Sequence, residues 1–141
     1  DAHLAKGDKK AAMAELERYT KVGGRDPKLL KKLAGMQEEA GNAAAAAATL
    51  DRLNYIYPVD DELHRKLGKL FFEQNRMPQA IREYKAVIAM NPQDKAASHY
   101  DLALAYRKNN QREQAAEQVL LSLEAAPGFR PAQKLLLELN Q

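Results

Sequence analysis

Cysteine and tryptophan are absent from this chain of 141 residues, and aromatic side chains are scarce, with three Phe and six Tyr. Without cysteine no disulfide can staple the fold and no thiolate can hold a metal, so neither device is available to it. The shortage of aromatics argues against sheets. No apolar stretch approaches the ~20 residues that a membrane-spanning helix requires, which predicts no membrane insertion by a helix. Dense Lys/Arg tracts are missing as well, and a net charge of +3 falls short of the footprint of a nucleic-acid binder. What remains is a chain about one domain in size, 45% hydrophobic and 29% charged, dominated by Ala, Leu, Lys, Glu and Gln. Those residues favour helices, and the expected fold class is all-α.

One pattern recurs through this composition. The turn-forming pairs Gly7-Asp8, Gly41-Asn42, Asn75-Arg76 and Asn110-Gln111 stand 34, 34 and 35 residues apart. Five residues after each first turn residue comes an alanine, at Ala12, Ala46, Ala80 and Ala115. Four residues later stands a larger apolar side chain, at Leu16, Leu50, Tyr84 and Val119. Pro58, Pro92 and Pro127 close the units, with Gly24 in the corresponding place of the first. Ahead of the turn pairs run stripes at spacings of three and four: Leu30, Leu33, Ala34, Gln37; His64, Leu67, Gly68, Phe71; His99, Leu102, Ala103, Tyr106. Such spacing places each set on one helix face. Asp26-Pro27, Asp60 and Asp94 signpost the helix starts. Each unit reads as helix, short turn, helix.

With these landmarks the chain resembles the tetratricopeptide repeat family, whose 34-residue unit carries aromatic, Leu-Gly, aromatic, Ala, aromatic and terminal Pro positions. Residues 61–94 match most fully, through Leu67-Gly68, Phe71, Ala80, Tyr84 and Pro92, with His64 in the usual Trp slot. Gln37 stands in an aromatic slot, while Ala34 and Ala103 replace glycine and stay small. The resemblance implies an all-α, right-handed superhelical array of antiparallel helix pairs, about three and a half repeats plus a C-terminal capping helix. In that register the chain is a single domain over 1–141. It has a partial first repeat at 1–24, repeats at 27–58, 61–94 and 96–129, and a capping helix at 130–141. Asp1 to Lys6 would be the tail of a first helix whose earlier turns are missing. The chain also opens without Met, so the expectation is a fragment of a longer polypeptide. Leu135, Leu136, Leu137 and Leu139 are available to cover the last pair, as a cap or as the start of another repeat.

Little in the sequence carries chemistry. His3, His64 and His99 form no His-Glu-x-x-His and have no cysteine partner, so no metal or cofactor site is expected, and His64 and His99 read as packing residues. Gly23-Gly24 is followed by Arg25-Asp26 and reads as a turn, not a phosphate loop. Ser98 and Ser122 lack a Gly-x-Ser-x-Gly elbow, and no catalytic role is expected. The run Ala43 to Ala48 reads as close helix packing, and Tyr55 and Tyr57, flanking Ile56 before Pro58, either offer an aromatic contact surface or, as tyrosines at a helix end, pack against the next unit.

The resemblance also implies that first helices line a concave, peptide-receiving groove. The side chains expected there are Lys28, Lys31 and Lys32, then Arg65, Lys66, Lys69 and Phe72, then Tyr100, Leu104, Arg107 and Lys108. Glu38, Glu39, Glu62, Glu73 and Asp101 share that face, so eight cations oppose five anions and the groove is expected to be basic. A carboxylate clamp known in the family is matched by Lys31 but not by Gly35, Lys66, Ala97 or Asp101, so recognition of a chain terminus does not carry over. Lys28, Lys31 and Lys32 at the start of their helix, with Glu38 and Glu39 at its end, oppose the helix dipole. Either those glutamates pair with Arg65, Lys66 or Lys69, or all are solvated charges. The expected function is a protein-interaction scaffold for an acidic, partly apolar peptide or protein segment. An RNA-binding helical repeat is the alternative, disfavoured by the proline-terminated 34-residue unit. Another is a tail module of a larger bacterial peptidase-like enzyme. Self-association through exposed array ends also remains open. Cytoplasm and periplasm suit the chain equally.

Overall fold

The computed structural model describes the backbone of residues 2–141 and the side chains of residues 6–141; Asp1 and the His3 side chain lie outside it. The chain divides into two compact units, residues 1–60 and 61–141. Helices are the only regular elements among the described residues. None of them is long and apolar enough to cross a membrane.

The first unit holds α1 (Ala2–Lys21), α2 (Pro27–Glu39) and α3 (Ala43–Ile56), each packed on its neighbour in sequence. Asp26 caps α2, its carboxylate accepting the Lys28 N–H at 2.9 Å, with Pro27 in the first turn. Gly41 supplies the left-handed turn at φ 78°, and the Asn42 side chain then caps α3 by accepting the Ala45 N–H at 3.1 Å. Leu30, Leu33 and Ala34 pack with Ala46, Ala47, Leu50 and Leu53, all fully buried. Each such leucine contributes about 2 kcal/mol. The polar Gln37 is tolerated in this core because the buried Thr49 hydroxyl donates to its Oε1 at 2.7 Å.

Two expectations fail in this unit. Gly7-Asp8 is not a turn, since α1 runs unbroken from Ala2 to Lys21. The hydrogen-bond ladder continues through Gly7, at a cost of about 1 kcal/mol for a glycine inside a helix. Tyr55 does not pack, being 90% exposed on the side of α3 opposite Leu50 and Leu53. Tyr57 is partly exposed, and its hydroxyl donates to the Arg25 carbonyl at 3.5 Å.

The second unit holds α4 (Asp61–Glu73), α5 (Met77–Ala89), α6 (Lys95–Lys108), α7 (Arg112–Ala125) and α8 (Arg130–Leu139), again packed in chain order. Asn75 and Asn110, at φ 59° and 60°, turn the chain between α4 and α5 and between α6 and α7. Asparagine is one of the few side chains that enters this left-handed region readily. Leu67 and Phe71 of α4 meet Ala80 and Tyr84 of α5, while Leu102, Ala103 and Tyr106 of α6 meet Ala115 and Val119 of α7. The buried Ser122 hydroxyl donates to the Ala96 carbonyl at 2.7 Å and ties α7 to the start of α6. On α8, Ala132, Leu135 and Leu139 are buried, whereas Leu137 is 68% exposed.

Candidate functional site

In the second unit, α4 and α6 flank a depression of about 440 Å³ whose floor is supplied by α5. Arg65, Lys69, Phe72 and Glu73 line it from α4, Tyr84 from α5, and Asp101 and Leu104 from α6. A second depression, of about 540 Å³, shares Arg65 and Asp101 and continues past Ala97 to Asp61, Glu62 and Asp94. The two form one groove along the α4–α6 face.

The helical stripes explain this placement. Leu63, Leu67 and Phe71 turn into the core of α4, so residues two positions further on point out towards α6. Gly68 brings α5 close: a Cβ there would lie 2.6 Å from the Tyr84 ring. Asp94 caps α6, accepting the Ala97 N–H at 2.9 Å, and the same residue walls the groove. The Ser98 hydroxyl is committed to the Asp94 carbonyl at 2.8 Å.

Four of the expected groove residues, Arg65, Lys69, Phe72 and Leu104, come together in the first depression. Lys108 joins them at its edge, its ammonium 4.7 Å from the centre of the Phe72 ring. Lys66 is exposed on α4. Tyr100 and Arg107 turn elsewhere. The Tyr100 ring meets Phe129, ahead of α8, edge-on at 5.7 Å, and Arg107 pairs with Glu138 of α8. Lys28, Lys31 and Lys32 are exposed on α2 of the first unit, where Lys31 lies 3.4 Å from the Asp60 carboxylate.

The excess of cations over anions expected from helix faces is not found in the lining of this groove. Asp61, Glu62, Glu73, Asp94 and Asp101 line it, against Arg65 and Lys69. The physical reason lies at the helix starts, where Asp61 and Asp94 project into the groove beyond the turns of helix that were counted. Burial lifts the Asp101 carboxyl from its ordinary range to about 6, with Arg65 pulling it down and Asp94 pushing it up. Tyr84 was read as a core residue and its hydroxyl was missed. Burial, then Asp101 and Glu73, hold that phenol well above its ordinary value. The small residue at 68 opposite a tyrosine was the available signal.

The two histidines do pack. His64 is 6% exposed, with Nδ1 2.5 Å from the Glu83 carboxylate, which also accepts from Arg82 at 2.9 Å. His99 is half-buried, with Nδ1 2.7 Å from Gln118 Oε1. No three His, Cys, Asp or Glu side chains converge as metal ligands among the described residues.

Comparison with known proteins agrees with this architecture. A family model described as tetratricopeptide repeat matches residues 1–61 and 65–129. The nuclear autoantigenic sperm protein of Bos taurus is 32% identical over a region covering 62% of this chain and only 13% of that protein. Among solved structures, MamA from Desulfovibrio magneticus superposes with a TM-score of 0.74 at 22% identity, covering 97% of this chain and 77% of its own. The first repeat domain of Spaghetti, solved with the HSP90 peptide SRMEEVD, gives 0.68 at 16% identity, covering 82% and 90%. At these identities the structures establish the fold.

Proposed function

We infer, from the premise that this chain belongs to the tetratricopeptide repeat family, that it is a protein-interaction scaffold whose α4–α6 groove receives an extended peptide segment. The observation that carries this reading is a groove with an apolar middle. Phe72 and Leu104 are only half-buried there, beside Arg65 and Lys69, which make no ion pair among the described residues. Half-covered apolar side chains beside exposed charges are what a peptide anchor needs. The structure of Spaghetti with an HSP90 peptide supports the class of ligand for this fold.

The ligand is a partly apolar peptide. Acidic residues in it fall to the exposed cations on the rim, Lys69 and Lys108, with Lys66 alongside on α4. An aliphatic side chain, or the aliphatic stem of a longer one, enters between Phe72 and Leu104. The test is fluorescence anisotropy on the whole chain with N-acetylated nonapeptide pools carrying a fixed central Leu and flanking Glu. Truncating Phe72 and Leu104 to Ala is expected to weaken the pool by about tenfold or more. Reversing Arg65, Lys66 and Lys69 to Glu should weaken the acidic pool by a similar factor and a Ser-flanked pool much less. Binding indifferent to that triple reversal rejects the placement.

A further inference from the structure

We propose that the floor of the α4–α6 groove is a seat for a lysine side chain of the bound segment, its ammonium held by Asp101 and the Tyr84 hydroxyl and its aliphatic stem lying between Phe72 and Leu104. The proposal rests on the peptide-groove reading and adds to it one ligand residue of defined chemistry.

The Tyr84 hydroxyl is the first observation. Tyr84 is 7% exposed, yet it lines the depression and its hydroxyl has no hydrogen-bond partner among the described residues. A phenol that reaches the groove with no internal partner keeps its donor and its acceptor for a ligand. The equivalent position on α7 is Val119, which has no polar atom to present. Only the combination of Gly68 and Tyr84 brings a hydroxyl to this face, since a side chain at 68 would collide with the ring.

The second observation is what surrounds that hydroxyl. Asp101 and Glu73 both bear on it, so its environment is rich in acceptors. An ammonium brings three donors, and Asp101, Glu73 and the phenol oxygen offer three acceptors. Phe72 and Leu104 supply apolar walls for four methylenes. The charged groups facing the seat are Arg65, Lys69 and Glu73 from α4, Asp94, Asp101 and Lys108 from α6, with Asp61 and Glu62 where the groove continues. Along the whole groove five carboxylates face three cations, counting Lys108 at its edge, and at the seat itself Asp101 and Glu73 stand beside the phenol. Exposed Lys69 and Lys108 act on the ligand's flanks, and the sheltered Asp101 acts on its centre.

This seat is sensitive to pH in a defined direction. Burial places the Asp101 carboxyl at about 6, against the opposing pull of Arg65. Above that value it is ionised and attracts an ammonium. Below it the carboxyl is protonated and the attraction is lost, weakening a lysine ligand by about tenfold between pH 7.5 and 5.0.

The experiment uses the whole chain and N-acetylated nonapeptide pools with a fixed central Leu, one adjacent position being Lys, norleucine, Arg or Glu. Norleucine keeps the stem and removes the ammonium. At pH 7.5 the Lys pool should bind about tenfold tighter than the norleucine pool, and the advantage should vanish at pH 5.0. Asp101→Asn should abolish both the preference and its pH dependence, and Tyr84→Phe should reduce the preference several-fold with an unchanged circular dichroism spectrum. Equal binding of the Lys and norleucine pools at pH 7.5 overturns the lysine seat and leaves the groove standing. Tighter binding of the Arg pool than the Lys pool overturns the ammonium assignment. Failure of every pool to bind removes the groove reading, and the seat with it.

Discussion

The α4–α5 and α6–α7 pairs share one register, 35 residues apart, and fill it differently. Where α4 and α5 join a buried histidine to a buried carboxylate, His64 to Glu83, α6 and α7 join a half-buried histidine to an amide, His99 to Gln118. Where the first pair opposes Gly68 to Tyr84, the second opposes Ala103 to Val119. Backbone geometry is thus served by two packing solutions, a small residue with a large one or two intermediate ones. The solution chosen decides whether a polar atom reaches the groove.

The histidine–carboxylate contact offers the largest contrast. Glu83 is 1% exposed and holds both His64 and Arg82, so Glu83→Ala strands a buried imidazole and empties a packed site. A loss of about 2–4 kcal/mol is expected. Gln118→Ala, at the equivalent but less buried place, should cost about 1 kcal/mol or less. Urea denaturation of the two variants compares them directly, and equal losses would show that burial is not what separates the pairs.

The packing contrast comes next. Gly68→Ala places a Cβ 2.6 Å from a ring atom that the core holds in place. Overpacking costs about 1–3 kcal/mol, from which up to about 1 kcal/mol of improved helix propensity is to be subtracted, leaving a net loss near 1–2 kcal/mol. In a Tyr84→Val background, which imports the α6–α7 arrangement, the same change should become neutral or slightly stabilising. Additive losses in that double-mutant cycle would deny that residues 68 and 84 form one packing unit.

That unit also marks how far the sequence could be read. The helix pairs were legible because their landmarks recur in one register, and Gly41, Asn75 and Asn110 all adopt the left-handed turn. Gly7-Asp8 has the same chemistry and stays helical within α1, so turn-forming residues do not by themselves bend the chain. Within the groove, Arg65, Lys69, Phe72 and Leu104 were legible from helical spacing. Asp94 was read as a cap and proves to be a cap and a wall at once, a double duty that spacing cannot reveal. Tyr84 was hidden because a repeat's consensus aromatic is expected in the core. Its ring is there, and only the last atom is not.

The smallest expected effect concerns positions 66 and 101, which the shared register makes equivalent. Lys66 is exposed on α4, whereas Asp101 is half-buried on α6. Below about pH 4 the Asp101 carboxyl carries its proton in both folded and unfolded chains, so it leaves stability unchanged there. Between about 4 and 6 the unfolded chain ionises while the folded one retains its proton. The folded state then binds more protons, and stability falls as pH rises. Above about 6 the full cost is present. Allowing for solvent screening of a group that remains partly exposed, it amounts to about 1–2 kcal/mol. Asp101→Asn should therefore stabilise the chain by that amount at pH 7.5 and by nothing at pH 3.5. A residue that destabilises the free chain at neutral pH is one whose charge a ligand can put to use. If Asp101→Asn gave no gain at pH 7.5, the carboxylate would already be well solvated, and the groove floor would have nothing unsatisfied to offer a cation.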